Sequence, residues 1–233
     1  MIVGSASTMI EAALIIQLPY DVEKRIAPIA QFNSSPFILA AARGLPVESV
    51  QALIAYAKAN PAALNFASSG TGSSGHLAGE LLKHSAGIDM THVPYKGIGP
   101  GLVDLMGGRI QVLFGSTTAV MPHVNSGKIR ALAVSSLQRA KTLPALPALA
   151  ETLPGYEVIT WWGMLGPDGI PAPVIVALNG EINQILLLPE MRKIVGADGA
   201  EIANGSPEQF RQVITKGLAS VRDMVAKTGI KLH

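Results

Sequence analysis

Asn65-Phe-Ala-Ser-Ser-Gly-Thr-Gly-Ser-Ser-Gly-His-Leu-Ala-Gly79 decides the fold of this chain. Leu64 to Ala67 reads as a short strand, and Ser68 to Gly75 is a turn made only of Ser, Gly and Thr. Leu77, Ala78, Leu81 and Leu82 then recur at helical spacing, which predicts a helix beginning near Ser74. A strand that ends in such a turn and opens a helix gathers backbone N–H groups at one spot, where the helix dipole adds partial positive charge. Small side chains let an anion approach the backbone, and hydroxyls add donors. Ser68, Ser69, Gly70, Thr71, Gly72, Ser73 and Ser74 are therefore candidate residues for seating a carboxylate or phosphate. The alternative is a flexible Gly/Ser linker, but linkers are not normally set between a strand and an amphipathic helix.

Working outward, strands and short helices alternate. Met90–Tyr95, Ile110–Phe114 and Ile129–Val134 read as strands; Pro100–Met106 and Val120–Asn125 read as helices between them. Phe37 to Ala41 is wholly apolar, the pattern of a buried parallel strand, and Ser34-Ser35-Pro36 separates it from an earlier strand over Ile26–Phe32. Ser49 caps a helix carrying Val50, Leu53, Ile54 and Ala57. Beyond the proline-dense stretch from Lys141 to Pro154, Tyr156–Trp162 is extended. Helices follow from Pro173, Pro189 and Pro207, the last with Ser206 as its cap. The pattern predicts an α/β protein with largely parallel sheets.

The 233 residues are 48% apolar but only 15% charged, with a net charge of +2 and no basic tract, which argues against a nucleic-acid partner. The absence of cysteine excludes disulfides, thiol catalysis and zinc–thiolate sites. No apolar run approaches the ~18–20 residues that span a bilayer, so no direct membrane insertion is expected. Met1-Ile2-Val3 has neither a basic leader region nor an Ala-x-Ala cleavage site. The chain opens inside a strand ending at Gly4-Ser5, and the expectation is that material is missing upstream.

Gly70-Thr-Gly-Ser-Ser-Gly75 also matches the dinucleotide fingerprint, which makes an oxidoreductase fragment the rival reading. That fingerprint expects an acidic residue at the end of the next strand; here the strand ends Val93-Pro94-Tyr95-Lys96. Metal binding is not expected, since the five histidines form no ligand spacing. His76 and Glu80, one turn apart, read as a surface pair, with His76 facing the anion as the alternative. No G-x-S-x-G and no carboxylate pair suggests acyl transfer or acid–base work, so no enzyme and no cofactor are expected. Ligands of open α/β sheets sit beyond the carboxyl ends of strands. Four small turns lie at such ends: Gly4–Thr8, Ser68–Ser74, Tyr95–Gly97 and Gly115–Thr118. Ser5, Thr8, Tyr95, Gly115 and Ser116 join the candidates on this ground. Trp161 and Trp162 are adjacent strand residues facing opposite ways, so one can pack while the other faces a cleft; Trp161 is the candidate.

Five stretches together are similar to the Bug family, the extracytoplasmic solute receptors of tripartite tricarboxylate transporters. They are Leu64 to Glu80, His92-Val-Pro-Tyr-Lys-Gly97, Asp104-Leu-Met-Gly-Gly108, Gly127-Lys-Ile-Arg-Ala-Leu-Ala-Val134, and Pro154-Gly-Tyr-Glu157 followed by Trp161-Trp-Gly163. The resemblance covers essentially the whole chain. It implies a two-lobed periplasmic binding protein, type II-like, that carries a small carboxylate to membrane transporter subunits. Residues 1–36 and 158–233 would form the first lobe and 37–157 the second, with a ligand cleft between them and one carboxylate on the Ser68–Ser74 turn. Two departures stand out. The family's signal peptide and two opening βα units, which include a Pro-Gly-Gly loop forming the other jaw, have no counterpart here. The resemblance therefore implies a periplasmic, N-terminally truncated receptor. The family also often has Asp after the strand that corresponds to Ile110–Phe114, where this chain has Gly115-Ser116. A site without that carboxylate disfavours an ammonium group, which predicts a plain organic acid over an amino acid.

Overall fold

A computed structural model describes residues 1–6, 21–197 and 200–228. Two compact units account for the chain: Pro36–Ile159 is one, and Met1–Ser35 with Thr160–His233 is the other.

The unit of residues 36–159 is a five-stranded sheet covered on both faces. Its strands are β3 (Ile38–Ala42), β4 (Asn65–Ser68), β5 (Thr91–Pro94), β6 (Val112–Gly115) and β7 (Ile129–Val134), in the order β5-β4-β6-β3-β7. Period-two alternation divides the core between the faces. Leu39, Phe66, Val112 and Phe114 pack with α2 (Val50–Ala59) and α3 (Ser74–Ala86) through Leu53, Ala57, Ala78 and Leu82. Ile38, Ala40, Ala67 and Leu113 pack with α4 (Ile98–Met106) and α5 (Thr117–Asn125) through Leu102, Leu105 and Val120. Tyr156 is buried under α3, and its hydroxyl donates to the Ala78 carbonyl at 2.8 Å.

β4 runs parallel to β5 and β6, as expected, but β3 runs antiparallel to both of its neighbours. The expectation of a parallel strand over Phe37–Ala41 fails because an all-apolar run reports burial on two faces and carries no information about direction.

The unit of residues 1–35 and 160–233 holds a four-stranded sheet, β1-β8-β2-β9, made of β1 (Ile2–Ser5), β2 (Ile26–Pro36), β8 (Ile159–Pro167) and β9 (Glu201–Ile202). β1 pairs antiparallel with β8 and β2 antiparallel with β9, so this sheet is not the largely parallel one expected. Helices α1 (Val22–Arg25), α6 (Ala172–Leu186), α7 (Pro189–Ala197) and α8 (Pro207–Thr228) complete the unit. Phe210, Ile214 and Leu218 of α8 pack against Trp161 and Leu165. Buried Asn179 of α6 donates to the carbonyls of Ile29 and Gly205, both at 2.9 Å. A β-carbon at Gly163 would lie 2.8 Å from the Ala30 carbonyl oxygen and 2.4 Å from the Phe210 ring, so only glycine fits between strand and helix.

Two local expectations are corrected here. Gly4 and Ser5 belong to β1, opposite Gly163 and Trp162, rather than to a turn. Ser34 and Ser35 do not interrupt β2, because β9 pairs with Asn33 and Ser34 and holds the strand extended. Among the described residues no single helix is long and apolar enough to cross a membrane; α6 and α7 reach that length together, but they meet at a 78° bend.

Candidate functional site

The candidate site is the edge of the five-stranded sheet where β4, β5 and β6 end. These three strands are parallel neighbours, with Ser68 opposite Pro94 and Ala67 opposite Leu113. Their outgoing turns, Ser69–Ser73, Tyr95–Gly97 and Ser116, therefore lie side by side. The contacts agree: the Tyr95 amide donates to the Ser68 carbonyl at 3.1 Å and the Gly97 amide to the Ser69 carbonyl at 3.3 Å. Gly75, in the first turn of α3, comes so close to β6 that a β-carbon would sit 3.1 Å from the Phe114 carbonyl oxygen. Sequence reasoning placed these three turns at strand ends, and the sheet order brings them to one edge.

The turn itself is built on left-handed backbone. Gly70 has φ of 137° and Gly72 has φ of 78°, values that favour glycine over any residue with a β-carbon. Ser73 is the N-cap of α3: its Oγ accepts from the His76 amide at 3.4 Å and donates to the Gly70 carbonyl at 2.8 Å. Ser68 is fully buried. Its hydroxyl donates to the Gly70 carbonyl at 2.9 Å, accepts from the Gly70 amide at 3.1 Å and lies 2.7 Å from His92 Nε2. Ser68 thus braces the turn from inside, while Ser69 and Thr71 are exposed on its outer surface and Ser73 is half-buried.

Beneath the turn sit two histidines. His76 is buried, not the surface partner of Glu80 that its spacing suggested. Its Nδ1 accepts the Gly72 amide at 3.0 Å, and its ring stacks on His92 with centroids 3.9 Å apart. The ring of Phe66 lies 4.9 Å from that of His92. The parallel register sets Phe66 opposite His92, which places both rings under the first turn of α3. Because Nδ1 is an acceptor, the His76 imidazole is neutral with its proton on Nε2, 4.0 Å from Glu80 Oε1. Burial lowers the His76 pKa, against the opposing pull of Glu80 and with help from the charge of Lys83. His92 is pushed down to about 4, by burial first and then by the charges of His76 and Lys83. Lys83 is itself paired with Glu80 at 3.0 Å.

Tyr95 contributes its backbone to this edge. Its hydroxyl donates to Asp104 Oδ2 at 2.7 Å, and Arg109 donates to Asp104 Oδ1 at 3.0 Å. Desolvation and the hydrogen bond to Asp104 raise the tyrosine pKa to about 12. Gly115 is buried, and a β-carbon there would lie 2.7 Å from Val120 Cγ2. Ser116 is the N-cap residue of α5 without a side-chain capping bond, and its Oγ lies 3.4 Å from that of Thr118. Thr117, the next residue, has a buried hydroxyl with no hydrogen-bond partner among the described residues.

The remaining candidates belong to the other unit. Ser5 is buried in β1. Thr8 lies outside the described residues. Trp161 is a core residue, edge-on to Phe210 with centroids 4.9 Å apart; the exposed ring of the pair is Trp162, 49% accessible. Strand parity decides this, since positions 161, 163 and 165 all face α8. Among the described residues, no group of His, Asp or Glu side chains is placed to hold a metal ion.

Comparison with known proteins follows the same line. Residues 1–230 match the family model described as tripartite tricarboxylate transporter family receptor (TctC). A protein from the tcbD–tcbE intergenic region of Pseudomonas sp. strain P51 is 33% identical over 210 residues, covering 89% of this chain. The chain spans 62% of that relative's length. Protein BugT of Bordetella pertussis is 34% identical over 230 residues, 98% of this chain and 71% of BugT. The solved structure of R. palustris Rpa4515 with adipate superposes with a TM-score of 0.86 at 32% identity, covering 98% of this chain and 77% of the other. These matches give the dinucleotide reading no support. The α/β architecture, the glycine–serine turn and the match along residues 1–230 place this chain in the tripartite tricarboxylate transporter receptor family, to which the Bug proteins belong.

Proposed function

We propose that this chain is a solute-binding receptor for a small organic carboxylate, which it delivers to the membrane subunits of a tripartite tricarboxylate transporter in the periplasm. The observation that carries this reading is the direction of the turn's carbonyls. An anion seat must present N–H groups and turn its carbonyl oxygens away. The Ser68 carbonyl is taken by the Tyr95 amide, the Ser69 carbonyl by the Gly97 amide, and the Gly70 carbonyl by both serine hydroxyls and the Ser73 amide at 3.2 Å. Three successive acceptors, those of Ser68, Ser69 and Gly70, are thus drawn into the protein. The Gly72 amide is also turned in, toward His76, which places the seat at the N-terminal end of α3 rather than on the Thr71–Gly72 peptide. The amides of the first turn of α3 point out of its N-terminal end, where the dipole favours negative charge. No ionisable side chain lies between Ser68 and Gly75, so the seat is dipolar.

In this reading Ser73 and Ser74 carry the seat, and Ser69, Gly70, Thr71 and Gly72 form the turn that leads into it, with Ser68 bracing the turn and Ser116 beside it. Gly115 and Ser116 offer no carboxylate to an ammonium group, so the ligand is a plain acid, in keeping with the adipate held by the R. palustris relative. The test is thermal unfolding and calorimetric titration with adipate, succinate, malate, citrate, aspartate, glutamate and NADPH. A ligand at a hundred times its dissociation constant adds about 2.7 kcal/mol, which is several degrees of melting temperature. One plain acid is expected to bind. Aspartate or glutamate binding as tightly as the best plain acid would overturn the ligand class, and a response to NADPH alone would overturn the receptor reading.

A further inference from the structure

We propose that Lys96 is the specificity-determining residue of this site: it takes a second carboxylate of the ligand whose first carboxylate rests on the N-terminal end of α3. The inference rests on the carboxylate reading and adds to it the residue that reads the ligand's charge. Three backbone contacts set Lys96 against the glycine–serine turn. The amide before it, that of Tyr95, donates to the Ser68 carbonyl at 3.1 Å, and the amide after it, that of Gly97, donates to the Ser69 carbonyl at 3.3 Å. Gly70 closes on the peptide that joins Tyr95 to Lys96: a β-carbon there would lie 3.7 Å from the Tyr95 carbonyl oxygen. Strand parity sets the direction of the side chain. Val93 and Tyr95 pack on the face of the sheet that carries α4 and α5, whereas His92 stacks on His76 of α3. Alternation therefore sends Lys96 out on the α3 face, the side on which the turn opens into its helix.

The surrounding charges leave this lysine to the ligand. The three turns at this edge, residues 68–75, 95–97 and 115–118, contain no Asp or Glu, and Lys96 is their one formal charge. Lys96 is exposed, and among the described residues no carboxylate pairs with it. The carboxylates of the flanking helices are already engaged: Asp104 holds the Tyr95 hydroxyl and Arg109, and Glu80 holds Lys83. The two parts of the site differ in kind. The helix end presents partial charge and fixed amides, which suit one carboxylate held in one place. An ammonium on a flexible four-carbon stem is a point charge that reaches a second carboxylate beyond the first. A ligand with one carboxylate satisfies the helix end and leaves Lys96 to water; a dicarboxylate satisfies both.

Calorimetry on the full chain tests this with adipate and its monomethyl ester, which has the same chain but one charge in place of two. The wild type is expected to prefer adipate roughly 5–50-fold, between the effect of an exposed ion pair and that of a charge-assisted hydrogen bond. The preference is expected to shrink with rising salt, as a solvent-exposed charge pair requires. Lys96→Met keeps most of the stem and removes the charge; it is expected to lose adipate affinity by that factor, and the preference with it. Lys96→Arg keeps the charge and is expected to keep the preference. Equal losses for adipate and the half-ester in Lys96→Met would put the lysine on the first carboxylate. A preference that survives in Lys96→Met, or one that is absent from the wild type, would take the second carboxylate away from Lys96. Each of these results overturns the proposal while leaving the carboxylate seat in place. No heat from either ligand in the wild type overturns the carboxylate reading itself, and this inference with it, so the two failures are distinguishable.

Discussion

Substitution of Ser73 separates the fold of the seat from its chemistry. Ser73→Ala removes two interactions of one hydroxyl, the bond accepted from the His76 amide and the bond donated to the Gly70 carbonyl. Loss of an N-cap costs about 1 kcal/mol. The Gly70 carbonyl keeps the Ser68 hydroxyl and the Ser73 amide, so the second loss is small, about 0.5–1 kcal/mol. The sum, about 1.5–2 kcal/mol, lowers the melting temperature by roughly 3–8 °C for a chain of this size. Ser73→Asp behaves differently. Asp is as good an N-cap as Ser, and its charge suits the helix N-terminus. But a carboxylate cannot donate to the Gly70 carbonyl, so only that bond is lost and stability falls by about 0.5–1 kcal/mol. A bound carboxylate, however, would lie about 4 Å from the new one, a repulsion of about 4 kcal/mol at an effective dielectric constant of about 20. That is about a thousandfold in affinity. Differential scanning calorimetry and adipate titration of both variants give the two readings. A folded Ser73→Asp that binds adipate within tenfold of the wild type would refute an anion on this turn.

Three further substitutions test the rest of the structure. Gly163→Ala is expected to cost about 1–3 kcal/mol in denaturant unfolding, because the Ala30 carbonyl 2.8 Å from the new β-carbon is backbone and cannot step aside. Trp161→Ala should cost about 3–5 kcal/mol and Trp162→Ala less than about 1 kcal/mol, which checks the parity of β8 by the same assay. The third concerns pH. His92 titrates near 4 in the folded chain against an ordinary 6.5, so the unfolded chain takes up its proton first. The stability this contributes is full above pH 6.5 and declines as the pH falls from 6.5 towards 4. His92→Gln, which carries no titrating group there, should therefore lose less melting temperature than the wild type between pH 7.5 and 5; parallel losses would show that His92 is not buried neutral.

What the sequence discloses here follows the range of the interaction. The strand, turn and helix of Asn65–Gly79 were legible because each rests on local chemistry: apolar spacing over one helix, glycine at left-handed positions, a hydroxyl at the cap. The direction of β3 was not, since five consecutive buried positions fit either orientation and the choice is made by the strands on each side. Trp161 and Trp162 left parity open for the same reason: the flanking Met164 and Leu165 are both apolar, and only the packing of α8 picks the inward set.

His76 shows most clearly where local reading stops. Its i, i+4 partner Glu80 is a surface signal by spacing alone, yet the contacts that bury it come from Phe66 and His92, residues ten before and sixteen after it. Only the parallel register of β4 and β5, which sets Phe66 opposite His92, brings these rings together. The parallel direction of these strands was recoverable from the alternating strand–helix order, but the pairing of Phe66 with His92 was not. Composition could state that the turn is rich in donors. Which way its carbonyls point depends on Tyr95 and Gly97 of the neighbouring strand end, and so does the difference between a seat for an anion and an ordinary αβ connection.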